Sequence, residues 1–406
     1  MVMRGQMMNQ IRESLFQPGQ PVSPDRFKGR EDIIKEIIKY FPSIISGNPQ
    51  HFFITGKRGM GKTSLANFIS DLANKNYSMV TAHIMNDGVH TIEDLLIQII
   101  ERILNSIKSE KWSKKIFNLF GNNIESVGLG GLNIKFKPSE NELHNLKDNF
   151  AFYLCDLINK FEDKDGLFII IDDINGLSDT PEFANWYKSF ADTMATSIKN
   201  APIGMMLTGY PEKFSKLYGH NQSFTRIFHI HELTRLSDNE IKTFYTDIFS
   251  MYDIRIEKSA LEKMTKYSSG MPTMMQEIGD ATLAQDTDNC IGDEDSLKGI
   301  IVAGKIIGLK YLQPLIDKKI RSENYLSLFK KIGNKLAATP NATFTKKTFS
   351  DVLNEQESKV FKDFISRAKK LGIIELASSK KQGEYKFTNQ LYPIYFLIQT
   401  IKEDNT

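Results

Sequence analysis

The chain has 406 residues, with 52 Lys and Arg against 49 Asp and Glu, for a formal net charge of +3. Its 41% apolar and 11% aromatic content can build packed cores and excludes an intrinsically disordered chain; the length suits two or three domains. Two cysteines, Cys155 and Cys290, exclude a disulfide framework and a thiolate metal centre.

Residues 1–16 lack the apolar stretch of a signal peptide, and no run approaches the roughly 20 apolar residues that span a bilayer. The expectation is a cytoplasmic protein with no membrane partner. Residues 1–24 hold Pro18, Gly19, Pro21 and Pro24, which predict an extended arm. Gly29-Arg30-Glu31 then leads into Ile33, Ile34, Ile37, Ile38 and Phe41 at helical spacing.

The chain is organised around Gly56-Lys57-Arg58-Gly59-Met60-Gly61-Lys62-Thr63-Ser64. It reads G-x-x-x-x-G-K-T, lies between an apolar strand at 51–54 and a helix from 65, and is a P-loop. The glycines let backbone N–H groups turn inward around phosphate oxygens, and the helix N-terminus adds its positive end. Lys62 is placed for the β- and γ-phosphates and the Thr63 hydroxyl for Mg²⁺. The cofactors this implies are ATP and Mg²⁺.

A second strand is predicted at 79–84 and an amphipathic helix at 91–107. Residues 108–140 read as an insertion whose glycine-rich stretch 126–136 predicts a β-hairpin. Lys108, Lys111, Lys114 and Lys115 with Trp112 suit either a nucleic-acid contact or a solvated face, and the hairpin also suits a subunit interface. A helix is expected over 143–161. The apolar run 167–171 ends in Asp172-Asp173 and has the look of a central parallel strand. In this context Asp172 would hold Mg²⁺ and Asp173 would orient or deprotonate the attacking water.

Residues 203–210 predict the next strand, with Thr208 near its end as a sensor of the γ-phosphate or the water. Residues 224–230 predict a last core strand with Arg226 at its edge. Arg226 is a candidate arginine finger acting on a neighbouring copy, or else a surface ion-pair partner. From Ser237 the pattern is helical: 238–249, 258–267 and 273–284, with Gly270-Met271-Pro272 before the third. Beyond Ser322 come helices over 325–336, 345–353 and 355–371, then strands about a turn at 378–383. Three helices and a hairpin predict a winged helix-turn-helix. Residues 318–406 carry 17 Lys and Arg against 9 Asp and Glu, a local +8 that leaves about −5 on the rest. Lys359, Lys362, Arg367, Lys369 and Lys370 on the third helix, with Lys380 and Lys381 at the tip, would meet double-stranded DNA; a protein-docking role is the alternative.

This order of elements resembles the AAA+ ATPases of the origin-recognition/initiator family and the related STAND-type signalling ATPases, over about 22–400. The resemblance implies an α/β three-layer P-loop NTPase (AAA+-like) core with a helical lid and a C-terminal winged-helix domain. The expected divisions are 1–24 arm, 25–235 core, 236–318 lid and connector, and 319–406 winged helix. It further implies that Gly29 and Arg30 flank the adenine, that Thr208 is the first sensor, that Arg226 is the finger of a homo-oligomer, and that Pro272 belongs to the lid's nucleotide contact. Initiators usually carry an arginine after that proline; here Thr273 stands there, which implies slow hydrolysis. Two functions follow: an ATP-hydrolysing switch acting on DNA or a DNA-bound partner, or a STAND-like regulator controlling a separate effector protein in antiviral defence or signalling. A DNA-bound regulator of transposition is a weaker third.

Overall fold

The structure, a computed structural model, describes residues 13–86, 88, 89, 91–106, 123–127, 133–161, 163–377 and 383–404. The chain divides into two compact units, Pro21–Thr234 and Met1–Gln20 with Arg235–Thr406.

The strands of the first unit are β1 Gln50–Gly56, β2 Met79–Met85, β3 Ile124–Val127, β4 Asn133–Phe136, β5 Gly166–Asp172, β6 Ile203–Gly209 and β7 Phe228–Leu233. Five of them form one parallel sheet in the order β2-β5-β6-β1-β7. β5 and β6 are buried along their whole length, as apolar runs without alternation require when helices cover both faces. One face presents Phe53, Ile169, Ile171 and Leu207 to helices Ile92–Ser106, Phe150–Ile158 and Pro181–Thr196. The other places Phe168 against Phe52 and Phe41, and Phe41 also meets Tyr77 of the P-loop helix Lys62–Tyr77. β7 is an edge strand, and its Ile230 is 45% exposed.

Two sequence expectations change here, and the expected hairpin is present. The helix expected over 143–161 is two helices, Glu140–Asp148 and Phe150–Ile158. Ser139 and Glu142 cap the first, and the Asn149 side chain donates to the Asn145 carbonyl at 3.2 Å, a local bond that competes with helix continuation. The strand expected over 224–230 starts later, after a 3-10 turn Phe224–Ile227, so Arg226 lies on that turn. The hairpin β3–β4 pairs antiparallel, and the Phe136 N–H donates to Glu101 Oε1 at 3.0 Å, fixing its base on helix Ile92–Ser106. Its turn 128–132, and Lys108, Lys111, Trp112, Lys114 and Lys115, lie outside the described residues.

The second unit is largely helical. Helices Asp238–Ser250, Lys258–Ser268, Pro272–Leu283 and Asp293–Ile307 come first; the last continues through a π turn, Gly308–Leu312, into Gln313–Lys319. The span Asp293–Lys319 is long and apolar enough to cross a membrane by length and composition alone. Its Ile300, Ala303 and Ile307 are buried in this unit's core, as in a core helix. Two short strands, β8 Arg255–Ile256 and β9 Cys290–Ile291, pair beside it.

Then come Glu323–Leu336, a 3-10 turn Lys346–Phe349 where a short helix was expected, Glu355–Lys370, β10 Ile374–Leu376 and β11 Tyr385–Phe387. β10 and β11 are antiparallel, and Phe344 bridges to Tyr385. A final helix, Leu391–Asp404, was not anticipated. Its Phe396 stacks on Phe329 at 5.1 Å, and one apolar cluster runs from Ile278 and Ile300 to Phe364 and Phe396.

The arm is not merely extended. Phe16 is 3% exposed, packed against Phe244, Tyr245 and Phe249, and the Gln17 N–H donates to Gln276 Oε1 at 2.8 Å.

Candidate nucleotide site

β1 ends at Gly56, and the loop 57–61 delivers the chain into helix Lys62–Tyr77. Gly59 (φ 81) and Gly61 (φ 84) take left-handed conformations that any side chain would strain. Gly56 does not share that reason, which corrects the reading of all three glycines as turn formers. A Cβ there would stand 3.0 Å from the Leu233 carbonyl oxygen of β7, so any larger residue would crowd the paired strand. Met60 is buried, whereas Lys57 and Arg58 are exposed.

Lys62 is half-buried. Its ammonium donates to the carbonyls of Gly56 at 2.8 Å and Lys57 at 3.3 Å. Burial lowers its pKa, against the raising charges of Asp173, Asp172 and Glu212.

Asp172, at the end of β5, is 2% exposed. It accepts a hydrogen bond from Thr208, and His83 Nε2 lies 3.3 Å from its other oxygen. Burial alone would raise its pKa; the bonds from His83, Thr208 and Thr63 outweigh that, and the net shift is downward. The ionised form is therefore favoured. Asp173, the next residue, is exposed, with φ 64. Its N–H donates to Thr208 Oγ1 at 3.0 Å and its carbonyl accepts from Asn86 Nδ2 at 3.2 Å. Adjacent carboxylates thus have different environments, one buried and hydrogen-bonded, one facing solvent.

Thr208 is fully buried, and its single proton goes to Asp172. Ser64 is likewise engaged: its hydroxyl accepts from the Val22 N–H at 3.1 Å. Gly29 (φ 82) and Arg30 (φ 66) form the left-handed entry to helix Glu31–Ile38, and the Arg30 guanidinium donates to the Thr234 carbonyl. Arg226 is exposed, and no ion pair to a described residue involves it. Pro272 belongs to the other unit, where it opens helix Pro272–Leu283.

Residues 30–181 match the KAP family P-loop domain. That stretch, with its loop and parallel sheet, is a P-loop ATPase domain. Solved structures similar to the ATPase include the ORC2 protein of Aeropyrum pernix in ADPNP–ADP complexes, at 12% identity and a TM-score of 0.57, covering 97% of this chain and 99% of that one. The Walker-type ATPase of Pyrococcus abyssi matches at 14% identity and 0.51, covering 95% and 98%. Cdc6p from Pyrobaculum aerophilum matches at 14% and 0.50, covering 97% and 99%. At such identities the likeness speaks for the fold alone. A comparison with curated proteins finds no match.

Four site residues of the ATPase escaped sequence reasoning. His83 and Asn86 come from β2 and the residue after it, and they reach Asp172 and Asp173 only because β2 pairs with β5 in register, Met85 beside Asp172. Tyr210 follows β6, and its ring centre lies 4.5 Å from Lys62 Nζ. Asn175 bonds both Tyr210 and Asp173. An aromatic residue directly after the Thr208 strand was the one local signal.

Proposed function

We propose that this ATPase is a Mg²⁺-dependent switch that oligomerises and acts on DNA or a DNA-bound partner through its C-terminal elements. The observation that carries the reading is the pairing of a P-loop, ending in Lys62 and Thr63 at a helix entry, with Asp172 buried at the end of β5 and held below the ordinary carboxylate range by its neighbours, Thr63 among them. A hydroxyl and a carboxylate are the hard oxygen donors a Mg²⁺ ion takes alongside water and phosphate. Thr63 and Asp172 would hold the ion, which supplies charge neutralisation on the phosphates. Lys62 binds phosphate, the N–H groups of 57–64 cradle it, and exposed Asp173 orients the attacking water. Gly29 and Arg30 flank the base, Arg226 completes a neighbouring copy's site, and Pro272 marks the lid. A titration of labelled ATP tests the core of this: Lys62→Ala should abolish binding, and unchanged affinity would overturn it.

Residues 319–406 serve as a winged helix in this proposal, supported by the order of helix, turn, helix and β10–β11 hairpin. Two of the basic residues are engaged within the unit. Arg367 donates to the Lys319 carbonyl at 2.9 Å, and Lys359 pairs with Glu355 at 2.7 Å. Exposed Lys362, Lys369 and Lys370 remain on the third helix; Lys380 and Lys381 lie outside the described residues. The internal use of Arg367 favours the second reading, a STAND-like regulator whose winged helix docks an effector protein. Anisotropy of a labelled duplex, with ATP and with ADP at two salt concentrations, separates the two. Salt-dependent binding lost in Lys362→Ala/Lys369→Ala/Lys370→Ala supports DNA; no binding in either nucleotide state supports the effector.

A further inference from the structure

The P-loop lysine has an aromatic neighbour that the P-loop motif does not call for. Lys62 Nζ sits 4.5 Å from the centre of the Tyr210 ring, within the range of a cation–π contact. Tyr210 is held from several directions. Its N–H points to Asn175 Oδ1 at 3.5 Å. Pro211 follows at the first position of helix Pro211–His220, where its ring fixes the helix entry. That helix is tied by Lys213 and Lys216 to Asp179, on the same segment as Asn175. The ring is therefore a placed surface, not a loose side chain.

Three carboxylates, Asp173, Asp172 and Glu212, act on the Lys62 charge. A long, flexible ammonium near exposed Asp173 has a competing resting place, an ion pair with that carboxylate, which would take it from phosphate. We propose that Tyr210 is a positioning residue for Lys62: its ring face holds the ammonium over the P-loop carbonyls and away from Asp173. The Asn175 N–H donates to Asp173 Oδ1 at 3.4 Å, which ties that carboxylate to its own loop. The inference rests on the reading of this loop as the ATP site.

The test is ATP binding by fluorescence titration across a small variant set, with thermal unfolding as the folding check. Tyr210→Leu removes the ring and should weaken ATP binding about tenfold, within the range of a partly desolvated cation–π contact. Tyr210→Phe keeps the ring and should bind within about twofold of wild type. Tyr210→Met serves if the leucine variant does not fold. The decisive variant is Tyr210→Leu/Asp173→Asn. With the competing charge gone, affinity should return towards wild type, which loss of packing alone would not allow. Tyr210→Leu binding as tightly as wild type, or a double variant as weak as Tyr210→Leu, overturns the proposal. Wild type that binds no ATP overturns instead the nucleotide reading itself.

Discussion

Replacing Thr208 with valine keeps the side-chain shape and deletes one hydroxyl. That hydroxyl donates to Asp172 and accepts from the Asp173 N–H at 3.0 Å. Asp172 is 2% exposed, so water cannot replace the lost donor. A buried hydrogen bond to a charged group contributes about 1.5–3 kcal/mol. The left-handed Asp173 (φ 64) also loses an anchor for a conformation costing about 1 kcal/mol or more. We expect Thr208→Val to lose about 2–3 kcal/mol at neutral pH. The pH dependence carries a sign. Burial raises the Asp172 pKa, and its hydrogen bonds bring the net value below the ordinary 3.8. A lowered folded pKa gives stability that is present above the unfolded value and lost as pH falls through the folded one. The deficit of Thr208→Val should therefore be full at neutral pH and shrink below about pH 4. Urea unfolding along a pH series measures this, with Thr208→Ser as the control that keeps the hydroxyl. Turnover at saturating ATP should fall about tenfold or more, the effect of about 1.4 kcal/mol on the barrier. An unfolding free energy within about 0.5 kcal/mol of wild type, with normal turnover, would refute the assignment of this hydroxyl to the acid pair.

Asp173→Asn should slow ATP hydrolysis by about 10²–10⁴-fold while sparing ATP binding; single-turnover kinetics beside a binding titration check it, and normal turnover removes Asp173 from the chemistry. His51 is buried with its Nδ1 2.9 Å from the Tyr187 hydroxyl; burial, with a smaller effect of His229, pushes its pKa down to about 4. Since an unfolded histidine titrates near 6.5, the unfolded chain binds the proton first, and folding loses stability as pH falls from the upper value to the lower. The loss approaches about 3 kcal/mol, and His51→Phe should flatten that part of the unfolding pH profile. Phe16→Ala should cost about 3 kcal/mol or more, read as an earlier urea transition; an unchanged midpoint would mean the arm does not pack as described.

The nucleotide loop was legible in the sequence because its requirements are local. Left-handed turns call for Gly59 and Gly61, and phosphate calls for Lys62 and Thr63 at the helix entry that follows. The acid strand was legible for a related reason: a central parallel strand is apolar without a break, so the first charges mark its end at Asp172. Contacts between distant segments were not legible. Gly56 gives room to the approach of Leu233 in β7, and His83 reaches Asp172 through the register of β2 on β5. Tyr210 meets Lys62 because β6 and β1 pair side by side. Charge was legible and its use was not: Arg367 and Lys359 count toward the basic end of the chain, yet their partners lie within the fold. Spacing along the chain determines which backbone shapes and periodic faces can form. Which side chains share a site is decided when strands take their order and register, because only then do residues far apart in sequence come within reach of one another.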